Sequence, residues 1–447
     1  MAKRAVKQFA RTLTRRRLLT AAGAGLAGAG ASRLVAPWKA GAAPAQIRGS
    51  SLRILTWSHF VPAYDTAFDK YANDWGVANA VTVRVDHIPI DQLPARIASE
   101  LAAGAGHDIF QMNGQIQTTL YYKNMVDVSD ICNKLGQDGG GWISMAKNCC
   151  VVNGQWYAMP EFYIPQPMMW RADLWQQYNC PAPSTWENLR TAARIGKSKG
   201  HPAGFAISHC NDSNHNWRAV FYAFGVHETD PSGKELAWDS KALRDAMQFS
   251  KALWSDGMTS EVFSWDNVSD NRYLDSGVAI YIHDALSSLF SVETSNPTLF
   301  GNINAGVPGG EPKGSVRSAA VVDPTILGVW KFSKNQAAAK AFLEAYGADV
   351  KFSLSASKGY NMPYLKKWYA KPMPGLGAHL PKLELIQDWD KIALVFGYPG
   401  PATAPASEVL STFVVPDMLA RYCHGESLES SIKWGLGQIK GIYAKYK

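Results

Sequence analysis

The period of apolar residues changes several times along the first folded stretch. Leu52-Arg-Ile-Leu-Thr-Trp57 reads as a strand. Phe60, Tyr64, Phe68, Tyr71, Ala72 and Trp75 then recur at helical spacing and predict a helix over 58–75. Residues 81–88 alternate as a second strand. A helix follows over 90–103, closed by Gly104 and Gly106, and 107–112 form a third short strand. This β-α-β-α-β order argues a parallel, doubly wound sheet, whose ligands sit beyond the carboxyl ends of the strands. Those ends carry Trp57-Ser-His59 and Asn113-Gly-Gln115.

The middle of the chain turns on one stretch. Asn153-Gly154 between apolar runs is a two-residue hairpin signal. Residues 156–170 follow, punctuated by Pro160, Pro165 and Pro167, so they form neither a helix interior nor a central strand. They read as a stiff extended crossover carrying Glu161, Tyr163 and Gln166: an ordinary surface loop, or a hinge between two lobes. A helix starts after Arg171. Ser184, with Glu187 three residues on, resembles a capping box at the head of the next helix. Residues 202–208 predict a strand, 211–225 a polar loop running into an aromatic helix with Trp217, and 239–256 an amphipathic helix. Strands are expected at 277–282, ending in His283-Asp284, at 302–307 and at 324–332. Ser333-Lys-Asn335 leads a helix over 336–348. The last third is helix-rich from 363 to 447, broken by a Pro/Gly stretch from Tyr398 to Pro405.

Charge changes the picture at one end only. Nine of the 45 basic residues precede Ala43, leaving 36 against 37 acidic, so the formal charge of +8 belongs to the N-terminal leader. A nucleic-acid footprint on the folded body is not supported. In the leader, Thr14-Arg-Arg-Arg-Leu-Leu-Thr20 resembles a twin-arginine export motif, followed by a mild Ala/Gly run. Small-residue cleavage sites are expected at 40–42 and 43–45, and less so at 29–31; an uncleaved anchor is the alternative. Gly23-Ala-Gly-Leu-Ala-Gly28 is a literal G-x-G-x-x-G, but no strand precedes it, so it is not a dinucleotide site. Six cysteines fit an oxidising compartment. Cys132 with Cys149 or Cys150 is one conceivable closure of a Gly-rich loop; Cys180, Cys210 and Cys423 read as buried thiols. No metal-ligand spacing is present, and neither metal nor cofactor is expected.

Several motifs, each occurring once, run in order over nearly the whole of the rest of the chain. They are Gly104-Ala-Gly-His-Asp-Ile-Phe110, Val152-Asn-Gly-Gln-Trp-Tyr-Ala-Met-Pro160, Pro183-Ser-Thr-Trp-Glu-Asn-Leu189, Leu274-Asp-Ser-Gly-Val-Ala-Ile280 and Phe332-Ser-Lys-Asn-Gln-Ala-Ala-Ala-Lys-Ala-Phe342. Together they resemble the extracellular solute-binding proteins of ABC importers, in the sugar-binding branch that includes maltose-binding protein. The resemblance implies a hinged, two-lobed periplasmic binding protein fold, each lobe a mainly parallel doubly wound sheet with flanking helices. One lobe would be 46–160 plus 305–358 and the other 166–304 plus 363–447, with hinges near 161–165, 304–308 and 359–363. It further implies a non-catalytic, monomeric periplasmic receptor that closes on a small solute and presents it to membrane permease subunits.

A sugar offers apolar C–H faces and a ring of hydroxyls, which call for aromatic faces and planar polar groups. The resemblance carries over Trp57, His59, Asn113, Gln115, Glu161, Tyr163, Trp217, His283, Asp284 and Tyr398 as ligand contacts, with Asp323 added. The family often has a tryptophan soon after the Gly277 strand. Here His283-Asp-Ala-Leu-Ser stands there, which speaks against a maltodextrin-like ligand. Two other readings stay open. A polyamine or other cation would use Glu161, Asp284 and Asp323. A secreted glycosidase would use Glu161 and Asp284 as acid and base.

Overall fold

The computed structural model describes residues 46–307, 320–370, 382 and 389–446; the leader, with its export motif, lies outside them. Strand β1 (Ser51–Trp57) is followed by a helix over Pro62–Asn79, strand β2 (Thr82–Ile88), a helix over Leu93–Ala103 and strand β3 (Ile109–Asn113). The first helix starts four residues later than its apolar spacing predicts. Pro62 cannot donate inside a helix and sits in its first turn, where a donor is not needed. Ahead of it, the Asp65 carboxylate accepts the His59 N–H at 3.0 Å. Tyr64, Phe68, Tyr71, Ala72 and Trp75 are buried, as the spacing requires.

The Asn153-Gly154 turn joins two short strands, β4 (Val151–Val152) and β5 (Gln155–Trp156), with both turn residues at positive φ. The extended stretch after it splits into strands of two different sheets: β6 (Ala158–Ile164) and β7 (Met168–Arg171). β6 closes the edge of a five-stranded sheet ordered β2-β1-β3-β11-β6, in which β11 is Asp323–Val329. An edge strand with a bulge tolerates Pro160. β1 runs parallel to β2 and β3, and β11 alone runs against its neighbours β3 and β6. The chain passes to the second sheet through Pro165-Gln166-Pro167. There β7 lies between β8 (Tyr281–His283) and β9 (Ile303–Gly306), antiparallel to both. A third small pairing joins β10 (Ala320–Val321) to β12 (Ala393–Leu394).

Three local expectations change. Residues 202–208 run beside β8 but make one bridge, Gly204 to Ile282, rather than a ladder. The Ala203 and Ile207 N–H groups go instead to the Gly257 carbonyl at a helix end and the Val262 carbonyl in a 3-10 turn. The helix over Trp186–Ser198 is capped by Thr185, whose Oγ accepts the Asn188 N–H at 3.2 Å. That places Glu187 one position too early for a capping box, and it meets Arg190 instead. Residues 211–216 are helical, within Asn211–Ala223, and every residue of that helix after Asn211 is buried.

The second core gathers Trp186, Phe205, Trp217, Phe221, Leu253 and Tyr281, with Met418 and Ile439 from the C-terminal helices. Residues 362–367 pack against the first sheet's side of the molecule. Met362 bridges Tyr163, and the Lys366 and Lys367 N–H groups reach Gly141 and Gly139 carbonyls. A Cβ on Gly139 would stand 2.5 Å from the Leu365 side chain, so glycine permits that approach. All six cysteines are free thiols, so the conceived closure of the Gly-rich loop by Cys132 does not occur. Among the described residues no helix is long and apolar enough to cross a membrane.

Candidate functional site

Where β3 ends and the antiparallel β11 begins, polar side chains crowd into the interior. Asn113 pairs in register with Thr325; it is 4% exposed and neither of its amide atoms has a hydrogen-bond partner. Asp323 accepts from Gln166 Nε2 at 3.0 Å and meets His215 Nε2 at 2.8 Å. Gly114 lies against it, a built Cβ there falling 3.2 Å from Asp323 Oδ1. From the second sheet, His283 Nε2–H donates to the Gln166 carbonyl at 2.8 Å, leaving Nδ1 buried without a partner. Burial draws the His283 pKa down to about 3, so the ring is neutral.

Beside His283, Asp284 accepts from the Ser288 hydroxyl and joins Asp212 and Asp270. Burial pushes Asp284 up to about 6. Asp212 and Asp270 rise well above the usual carboxylate range, both first by burial, then Asp212 by the charges of Asp270 and Asp284 and Asp270 by that of Asp284. Tyr360, 1% exposed, lies near these carboxylates and hydrogen-bonds Ser287. A groove of about 510 Å³ borders this centre. Asn271 and Ser287 line it, next in sequence to Asp270 and Ser288, with Phe60, Phe290 and Lys358.

The other expected site residues fall into separate places. Trp57 and His59 stand at the end of β1, with ring centroids 4.8 Å apart. The Trp57 N–H donates to Gln111 Oε1, and the His59 ring spans Val61 N–H and Asn361 Oδ1, at 2.9 Å each. Burial draws the His59 pKa down to about 4 against these hydrogen bonds, so the ring is neutral. Glu161 belongs to this group, accepting from Gln111 Nε2 at 2.6 Å and Tyr346 OH at 2.8 Å. Tyr163 turns to Tyr364 and hydrogen-bonds Tyr369. Gln115 is half-buried in the turn after β3. Trp217 lies wholly inside the second core, its indole N–H on the Ala206 carbonyl at 2.7 Å. Tyr398 packs against Tyr222 and His227.

The structure thus brings Asn113, His283, Asp284 and Asp323 into one centre, with Trp57, His59 and Glu161 as a second group. Sequence reasoning missed Asp212, His215, Asn216, Asp270 and Tyr360. The available signal was the run Asn211-Asp-Ser-Asn-His-Asn216, six polar residues leading straight into an aromatic helix.

Glu161 gives a pH prediction. Burial raises its pKa from 4.5 to about 7, so the folded state holds a proton that the unfolded chain releases. Its contribution is fully favourable below pH 4.5 and is lost as pH rises to about 7, by roughly 1–3 kcal/mol for a partly buried group. Thermal unfolding at pH 5 and pH 8 checks this. Glu161→Gln should narrow the gap between the two; an unchanged gap would show that Glu161 titrates normally.

The pattern of the bacterial extracellular solute-binding proteins matches residues 66–372, most of the chain. The chain belongs to that family. No curated protein sequence matches this solute-binding protein significantly. Among solved structures, maltose-bound MalE3 of T. maritima superposes with a TM-score of 0.73 at 19% identity, over 88% of this chain and 100% of that one. An ABC transporter solute-binding protein of Agrobacterium radiobacter in complex with ribitol gives 0.72 at 14%, over 89% and 99%. An ABC substrate-binding protein of Listeria monocytogenes in complex with cycloalternan gives 0.70 at 16%, over 88% and 98%. The fold of this solute-binding protein is therefore the two-lobed one that its motifs imply.

Proposed function

We propose that this solute-binding protein captures a small carbohydrate or sugar alcohol between its two sheets and delivers it to the permease of an ABC importer. One observation carries the reading. Asn113, Gln166 Oε1, His283 Nδ1 and Thr325 Oγ1 are all buried with unmet hydrogen-bonding capacity. Buried polar atoms without partners are costly unless something pairs them. A polyhydroxylated ligand supplies donors and acceptors together, and Phe60 and Phe290 offer aromatic faces in the groove. Sugars and a sugar alcohol in the similar structures support the same class.

In this reading the lobes follow the division 46–160 with 305–358 and 166–304 with 363–447. The pairing of Ala305 and Gly306 in the second sheet and the packing of 362–367 on the first move two boundaries by a few residues. Closure about the crossover at 165–167 brings both lobes onto the ligand, which stabilises the closed state. Export to the periplasm through the twin-arginine motif and action as a monomer without catalysis complete the proposal.

Thermal unfolding against sugars, sugar alcohols, polyamines and amino acids is the test. A true ligand at about 100 times its Kd adds about 2.7 kcal/mol. Stabilisation by one sugar class identifies the solute. Stabilisation by polyamines alone, or slow turnover of a glycoside without any shift, would overturn the carbohydrate reading.

A further inference from the structure

Asp212, Asp270 and Asp284 come from three separate elements: the first turn of the helix over Asn211–Ala223, the first turn of the helix over Ser269–Asp275, and the residue after β8. All three are at most 6% exposed. Each offers one carboxylate oxygen, and these oxygens lie within 4.8 Å of one another. Calcium binds oxygen at about 2.3–2.6 Å, so ligands on opposite sides of one ion stand about 4.6–5.2 Å apart. The three oxygens therefore fit inside a single coordination sphere.

Two further observations point to a ligand. Asn216 is wholly buried and neither its amide oxygen nor its nitrogen has a partner. It lies one helical turn beyond Asp212, hence on the same face, and helical side chains lean back toward the preceding turn. Its carbonyl oxygen is a donor of the kind calcium accepts. Asp212 Oδ2 and Asp270 Oδ2 are likewise buried without partners, whereas Asp284 Oδ2 is held by the Ser288 hydroxyl. A metal-ligating carboxylate is commonly oriented by such a second hydrogen bond.

We propose that Asp212, Asp270 and Asp284 bind one divalent cation of the hard, oxygen-seeking class, with calcium the best fit. A donor set of oxygen alone, without thiolate or imidazole, selects this class over zinc or copper. Magnesium fits less well, because it keeps several waters and demands a smaller octahedron. An ion here ties two helices to the end of β8, on the wall of the proposed solute space.

The experiment is calcium uptake by the full protein after dialysis against EDTA, read by equilibrium dialysis with elemental analysis and by thermal unfolding. One calcium per chain and an upward shift of the unfolding midpoint are expected, with magnesium giving a smaller shift. Asp270→Asn should weaken calcium uptake by roughly 100-fold or more, beyond the 10–100-fold typical of losing an outer partner. Asp284→Asn serves as the second variant if the first does not fold. Failure of the wild type to take up stoichiometric calcium overturns the proposal. So does uptake that survives Asp270→Asn, or stabilisation by spermidine in place of calcium. The solute panel run in EDTA tests the sugar reading separately, so either proposal can fail alone.

Discussion

Replacing Arg218 with leucine is expected to cost about 3–5 kcal/mol, the price of leaving a buried carboxylate without its cation. Arg218 and Glu228 are both inside the second core, with side chains at most 1% exposed, and Arg218 Nε meets Glu228 Oε1 at 2.7 Å. The same oxygen accepts from Tyr222 OH at 2.7 Å, and Oε2 accepts the Gly397 N–H at 2.9 Å. Arg218 in turn donates to Asn214 Oδ1 at 2.6 Å. Removing the guanidinium leaves Glu228 with two neutral donors and no charge to balance it. Burial then favours its protonation or local unfolding around the Tyr398 loop, which this carboxylate holds through Gly397. The double variant Arg218→Leu with Glu228→Gln should recover much of the loss, because it buries no charge. Chemical denaturation of the wild type, the single variant and the double variant checks both statements. A single-variant loss under about 1 kcal/mol would show that the pair is solvated, as surface pairs are.

That network also marks where reading the chain stops. The β-α-β-α-β start and the Asn153-Gly154 hairpin are local features and appear where the sequence puts them. The proline-marked stretch, expected as a crossover and not a central strand, instead holds the edge strand β6 and, beyond Pro167, the central strand β7. Pro160 signals an edge strand because a missing N–H is a fact about one residue. The site is not local. Glu161 meets Tyr346, 185 residues away, and Arg218 reaches the loop at Gly397 through Glu228. No spacing along the chain encodes such pairs. The helix over Asn211–Ala223 was hidden for a related reason. Hydrophobic periodicity assigns polar residues to solvent, but this helix is buried on all sides. Its Asp212, His215 and Asn216 face the interior centre, so a polar run that reads as a loop is the wall of the site. Trp217 follows one residue later, about 100° round the helix, and packs against Phe205 in the core.

Trp217→Ala should therefore cost about 3–5 kcal/mol of folding stability, the usual loss for an aromatic truncated in a packed core. The indole is fully buried, its ring 5.8 Å from Phe205, and its N–H satisfies the Ala206 carbonyl. Two terms add in the alanine variant: a cavity among Phe205 and its neighbours, and a buried carbonyl left unpaired. Trp217→Phe separates them, since phenylalanine refills most of the space but supplies no donor. Its loss should be smaller, on the order of 1–3 kcal/mol. Affinity measured on the folded fraction decides between the two roles open to this side chain. If Trp217 stacks on the solute, Trp217→Phe lowers affinity while stability stays near wild type. If it is a core residue, as its burial and its bond to Ala206 argue, Trp217→Phe loses stability and the folded fraction binds as the wild type does.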